Sequence, residues 1–253
     1  MDLELKEKFT AFWKQYFPSA DLPITFYYTD EEGRAEKAEK AERFRCFVID
    51  LAKVRNGRSL CFSKETVKCF GAKRYLGFSK MKMPFFSRFL SCGIPFVFKG
   101  ERYKKTPKIA KAVIKDQPPC RADGKYIVFK RWDMLEEKDD PAVVVFFADP
   151  DILSGLFTLV NYDAKETNAV YAPFSSGCST IVHYPYNDYV NGVGRAVLGM
   201  FDVTARTYVK SDVLTLAVPM PKFSCMINNI EGSFLEMPDW RRIQTRIEGK
   251  SNQ

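Results

Sequence analysis

Leu5, Phe9, Phe12, Trp13 and Tyr16 recur at a spacing of three or four, and Pro18 follows directly. The spacing predicts an amphipathic helix over 3–17, packed on the body of the protein. PITFYYT at 23–29 is β-branched and aromatic and reads as a strand. Residues 34–55 begin rich in Ala, Glu and Lys and turn apolar at Phe44, Phe47, Val48 and Leu51. This predicts one helix closed near Asn56-Gly57. Residues 59–63 are a strand candidate, and 84–90 is a short apolar helix or turn with three phenylalanines. Thr106-Pro107 supplies an N-cap and a first-turn proline, opening a helix through Lys115. Gln117-Pro118-Pro119-Cys120 breaks the chain before a strand over 126–132.

AVVVFFA at 142–148 is a continuous apolar run, as expected of a strand buried on both faces. Asp149-Pro150 then caps a helix to about Asn161, and 168–172 resumes as a strand, so a β-α-β unit is expected. Residues 213–218 form another strand. Pro221 opens a helix with Phe223, Met226, Ile227, Ile230 and Phe234 on one stripe, and a last helix spans about 239–247. The expected fold is α+β, a single compact domain over 1–253 with a mixed β-sheet flanked by helices. KCFGAKRYLGF at 68–78 echoes NGVGRAVLGMF at 191–201 across a one-residue gap, which suggests halves 1–124 and 125–253.

Composition changes the picture through charge and cysteine. The net charge is +8, but residues 53–131 carry 21 Lys and Arg against four acids, Glu65, Glu101, Asp116 and Asp123. Either this segment folds against the acidic remainder of the molecule, or it presents a positive surface to an anion. The seven cysteines stand at 46, 61, 69, 92, 120, 178 and 225. An odd count, with an acidic start (Asp2, Glu4, Glu7) instead of a secretory leader, predicts reduced thiols and a cytoplasmic protein. No apolar run approaches the ~20 residues that cross a bilayer, so no membrane partner is expected. With one histidine, His183, and no Cys-x-x-Cys or Gly-x-Ser-x-Gly, His-rich metal sites, zinc ribbons and serine-hydrolase elbows lose their signatures.

CFGA at 69–72 with Leu76-Gly77, FSSGCSTIVHYPY at 174–186, RAVLGMFD at 195–202, Ala205-Arg206, DVLTLAVP at 212–219 and MINNIEGSFL at 226–235 form a set, with Cys46, Ala52 and Gly57 ahead of them. Together they resemble the domain of unknown function 169 family, the uncharacterised ArCR family. The resemblance covers nearly the whole chain and carries no settled activity. It also implies a Cys-x-Gly-x-Arg in the second half, where this chain has Asp202 and Arg206 with no thiol.

Two cysteines stand among small and cationic neighbours. Cys69 adjoins Gly71, Lys73 and Arg74; Cys178 follows Ser176-Gly177 and precedes Ser179. Backbone amides and cations around a sulfur lower its pKa, so Cys69 and Cys178 are candidate ligands for an iron–sulfur cluster or another soft metal, or redox nucleophiles. The alternative is that each is a small buried hydrophobe in a turn. Cys46 and Cys225 are expected on apolar helical stripes. Gly71, Gly177, Gly192 and Gly194 are candidate anion donors, with Lys73, Arg74, Arg195 and Arg206 as clamps for phosphate or carboxylate. Tyr184, Tyr186 and Tyr189 beside His183 suit a planar ligand or an aromatic core. The expected ligand site thus comprises Gly71, Lys73, Arg74, Ser176, Gly177, Ser179, Tyr184, Arg195, Asp202 and Arg206. It would hold an anionic small molecule or cofactor, in a redox-related role. The other reading is a non-enzymatic protein whose basic segment, with Lys104, Lys108, Lys111 and Lys115 on one helix face, docks on an acidic partner or nucleic acid.

Overall fold

The computed structural model describes residues 1–40, 42–79 and 84–250. Helix α1, Leu3–Tyr16, is capped by the Asp2 carboxylate and leads to β1, Ile24–Thr29. Then come β2, Glu36–Lys37, α2, Phe47–Arg55, β3, Leu60–Ser63, and α3, Phe70–Tyr75. A small unit follows: α4, Phe86–Phe89, the hairpin β4, Gly93–Ile94, with β5, Phe98–Lys99, and α5, Pro107–Asp116. Next are β6, Tyr126–Arg131, β7, Val143–Ala148, α6, Pro150–Asn161, and β8, Val170–Tyr171. A π-helical turn at Ser179–His183 runs into α7, Tyr184–Val190. Strand β9, Ala196–Gly199, α8, Val203–Arg206, β10, Leu214–Pro219, α9, Met220–Asn228, and α10, Pro238–Lys250, complete the chain.

Among the described residues eight strands form one sheet in the order β2-β3-β6-β1-β7-β10-β9-β8. The middle pairings are antiparallel, and the parallel pairs β2-β3 and β8-β9 lie at the two edges. Two-residue edge strands leave little unpaired backbone open to another chain. The apolar run of β7 alternates as a strand must: Val143, Val145 and Phe147 enter one core, and Val144, Phe146 and Ala148 the other. Helices α1, α6, α9 and α10 cover the second face, with Trp13, Phe146, Phe223 and Trp240 in its core. Helices α2 and α3, the π turn and α7 cover the first. This is the expected α+β domain with a mixed sheet.

Several expectations are corrected. Residues 34–55 are not one helix: 36–37 is a strand and the helix begins only at Phe47, with Ala41 outside the described residues. The early charged turns have no apolar stripe to bury, so they gain nothing from packing as a helix. The β7-α6-β8 unit forms, but β10 and β9 lie between its two strands. The internal echo does not survive, because 70–75 is helix and 196–199 is strand. Strand β1 also sits between β6 and β7, which interleaves the two suggested halves.

Candidate functional site

The sheet face carrying α2, α3 and the π turn gathers the candidate residues. Cys46 caps the start of α2, Cys69 caps α3, and Cys178 immediately precedes the π turn. Cys69 Sγ accepts the Ala72 N–H at 3.5 Å. Cys178 is buried, with Ser176 Oγ 3.3 Å from its sulfur. Burial pushes the Cys178 thiol well up, and Cys69, Cys46 and Asp202 lie near enough to push it further. Burial likewise raises Cys46, with a smaller contribution from Cys69 and Asp202. The two predicted thiols therefore do come to one face, joined by Cys46, which belongs at a helix start and not on an apolar stripe. Cys225 is exposed and is no part of the core.

The thiolate expected at Cys178 is corrected. Burial wins over the Ser176 hydroxyl, so the sulfur is held as a thiol. The Gly177 N–H is not free to lower it, because it donates to Asp202 Oδ2 at 3.0 Å. Among the described residues no three His, Cys, Asp or Glu side chains are arranged to hold one metal ion. Asp202 also caps α8 through Thr204 N and Thr204 Oγ1, at 3.0 and 2.7 Å.

Beside the thiols lies a polar cluster that the sequence reading named only in part. Seven buried side-chain polar atoms among the described residues have no partner, and four of them surround the junction of α3, the Gln117–Cys120 segment and the π turn. These are Arg74 Nε, Gln117 Oε1, Ser175 Oγ and Asn187 Oδ1. The Tyr75 hydroxyl lies near Gln117 and Ser175, which lower its pKa against the larger rise from burial. Arg74 is near enough to act on both Cys120 and His183. Native interiors leave few polar groups unpaired, and such a concentration in one place marks a ligand site or bound water.

His183 is the hinge pin of this cluster. Its Nε2 donates to the Pro118 carbonyl at 2.8 Å, which leaves Nδ1 to accept from Ser179 Oγ at 3.1 Å. Asn187 Nδ2 adds bonds to the Pro119 and His183 carbonyls at 2.9 and 2.8 Å. Tyr75 and Tyr184 stand with ring centroids 5.6 and 5.1 Å from the imidazole. Burial lowers the His183 pKa, so the native state holds it neutral. Its contribution to stability is full above about pH 6.5, the unfolded value, and is lost as pH falls from there towards the lowered folded value. His183 is the sole histidine. The urea midpoint is therefore expected to fall as pH drops below about 6.5 in the wild type and to fall less over the same range in His183→Gln.

The remaining predicted residues divide. Lys73 and Gly71 lie half-buried on α3 at the cluster's edge. Arg206 is not an anion clamp: it donates to the carbonyls of Val213, Lys210 and Ser211 and ties its own loop. Arg195 is likewise engaged, pairing with Asp188 at 3.3 Å and lying over the Tyr171 ring at 4.4 Å. Gly192 and Gly194 sit in an exposed turn after α7. Tyr186 is core, its ring tilted against Tyr28 with centroids 4.7 Å apart and its hydroxyl donating to Asp123 at 2.9 Å. Gln117, Ser175 and Tyr75 escaped the sequence reading. Their only signals were the rigid Pro118-Pro119 after Gln117 and the doubled serine before Gly177. On the opposite face an open cleft of about 420 Å³ lies between Tyr16, Glu236, Arg241 and Gln244. It holds none of the unpartnered buried atoms.

The fold is thus a mixed-sheet α+β domain with a polar, thiol-bearing junction on one sheet face. The family model described as uncharacterised ArCR, the domain of unknown function 169 family, matches residues 20–229, and the chain belongs to that family. No curated protein and no solved structure matches it.

Proposed function

We propose that the protein binds an anionic small molecule or cofactor at the junction of α3, the Gln117–Cys120 segment and the π turn. The observation that carries this is the concentration of four unpartnered buried polar atoms there. Arg74 Nε and Ser175 Oγ would donate to carboxylate or phosphate oxygens, and Gln117 Oε1 and Asn187 Oδ1 would accept from ligand N–H or O–H groups. Tyr75 and Tyr184 would flank a planar part of it. π-Helical turns such as the one carrying Ser179 and His183 are rare and frequent at functional sites. The test is mass spectrometry of what the protein retains when purified under native conditions, followed by thermal shift with that compound. Arg74→Met and Ser175→Ala are each expected to weaken binding about tenfold or more, the cost of a lost charged or neutral hydrogen bond at a dry site. Retention of nothing, with no thermal shift from carboxylates, phosphates or nucleotides, overturns the reading.

A second reading rests on the convergence of Cys46, Cys69 and Cys178 with Asp202. The arrangement does not suit a single ion. A centre of several metal atoms spans a wider gap, and, since an iron–sulfur centre takes thiolates, its binding would have to displace the proton that burial keeps on Cys178. Purification without oxygen, a visible spectrum and metal analysis decide it. A colourless, metal-free protein from a metal-replete host removes this reading and leaves the first standing.

A further inference from the structure

Only the two ends of the basic segment form ion pairs with the acidic remainder of the chain; its middle does not. Among the described residues no cation from Lys64 to Lys125 makes an ion pair with a carboxylate, whereas Lys53, Arg55, Arg58, Lys130 and Arg131 on either side all do. Lys80 and Lys82 lie outside the described residues. The unit from α4 to α5 concentrates the excess: Arg88, Lys99, Arg102, Lys105, Lys108, Lys111 and Lys115 are exposed, and Glu101 is the one acid before Asp116.

The same unit carries the most exposed apolar side chains of the fold. Phe96, at 110%, and Val97, at 72%, are the two most exposed large apolar residues among the described residues, and Phe85 is also exposed, at 63%. Phe96 occupies the tip of the β4-β5 hairpin, in a turn closed by Val97 N–H to the Ile94 carbonyl at 3.1 Å. Pro95 fills the position before it, and Phe96 has φ +61°, the left-handed geometry that a turn with proline there assigns to glycine or asparagine. Phe85 is likewise left-handed, at φ +63°. A bulky aromatic in that geometry carries strain, and the fully exposed Phe96 gains no burial in return. The hairpin itself is tightly built, since a Cβ on Gly100 would stand 2.1 Å from the Ser91 carbonyl oxygen. The base of the hairpin is ringed by charge: Arg88 Nη1 reaches Cys92 Sγ at 3.9 Å, and Lys99 and Arg102 follow on the returning side.

We propose that this unit docks on an anionic lipid surface, with Pro95, Phe96 and Val97 entering the interface and Arg88, Lys99 and Arg102 facing the headgroups. A convex apolar tip backed by unpaired cations fits a headgroup layer. Nucleic acid and acidic proteins would meet the cations equally well, but they offer no apolar layer to a protruding Pro-Phe-Val tip. The expectation of no membrane partner rested on span length alone. No helix among the described residues is long and apolar enough to cross a bilayer, and surface docking requires none.

The experiment is co-flotation of the full chain with phosphatidylcholine vesicles with and without phosphatidylglycerol. Binding is expected to the anionic vesicles and to weaken as salt rises. Lys99→Gln and Arg102→Gln should each lower partitioning about fivefold, the worth of one cation at such a surface. Phe96→Gly should lower it about tenfold or more, from the lost apolar burial. Its melting temperature should hold or rise, because glycine relieves the left-handed strain. That separates loss of docking from loss of folding. Equal binding to neutral vesicles, no binding to anionic ones, or wild-type binding by Phe96→Gly each overturns the proposal. So does binding of a single-stranded oligonucleotide that depends on Phe96 and is not displaced by anionic vesicles.

Discussion

Asp139→Ala is expected to lower folding stability by about 3–5 kcal/mol, read as a fall in the urea midpoint with an unchanged slope. Lys130 is buried on β6, and its ammonium meets Asp139 Oδ2 at 2.9 Å. The other carboxylate oxygen accepts the Tyr27 hydroxyl at 2.5 Å, and the Glu136 N–H donates to Oδ2 at 2.8 Å. Alanine would leave the Lys130 charge dry with only Glu136, at 3.3 Å and more than half exposed, as partner. The penalty comes from that stranded charge, so Lys130→Met added to Asp139→Ala should recover most of the loss. A single-variant loss below about 1 kcal/mol, the level of a surface pair, would show that the pair is not sealed from water. The pH dependence has a definite sign. Burial alone would raise the Asp139 carboxyl, but Tyr27, the Glu136 amide and Lys130 together hold it below the ordinary aspartate value. Its contribution is full above about pH 4 and is lost as pH falls through the lowered folded value.

Gly77→Ala is expected to cost about 3 kcal/mol and to abolish ligand retention at the polar junction. Gly77 has φ +74°, where a side chain costs about 1–2 kcal/mol. A Cβ there would stand 2.1 Å from the Arg121 carbonyl carbon, and backbone cannot step aside as a flexible side chain can. Overpacking adds roughly 1–3 kcal/mol. This contact is where the end of α3 closes on the chain just beyond Gln117–Cys120, so forcing it open separates Arg74 from Gln117. Thermal melting and retained-ligand mass spectrometry check both halves of the expectation. A variant that melts as the wild type would show that the close approach yields at little cost.

Much of the fold was legible because local chemistry and burial agreed. The stripe of α1, the Thr106-Pro107 start of α5 and the Asp149-Pro150 start of α6 appear where capping and periodicity put them. The seven-residue apolar run became the doubly buried β7. Where charged turns only resembled a helix, ahead of Phe47, no apolar stripe at helical spacing was there to bury, and the helix starts only at Phe47. Of the site, Cys69, Arg74, Ser176, Cys178 and Ser179 could be named from their neighbours along the chain. Cys46, Gln117 and Asn187 could not, since each joins the junction only after α2, the diproline segment and α7 dock on one sheet face.

The sequence by itself determined the family, the strongly basic middle of the chain and most element starts, because these depend on residue type and short-range spacing. Only the tertiary structure decided what those residues do. Arg206 and Arg195 pass from anion clamps to loop and carboxylate partners, Cys178 stays a buried thiol, and Phe96 projects into solvent on its hairpin. The physical reason is that charge pairing, desolvation and exposure are set by what arrives from distant parts of the chain, and no local pattern records that arrival.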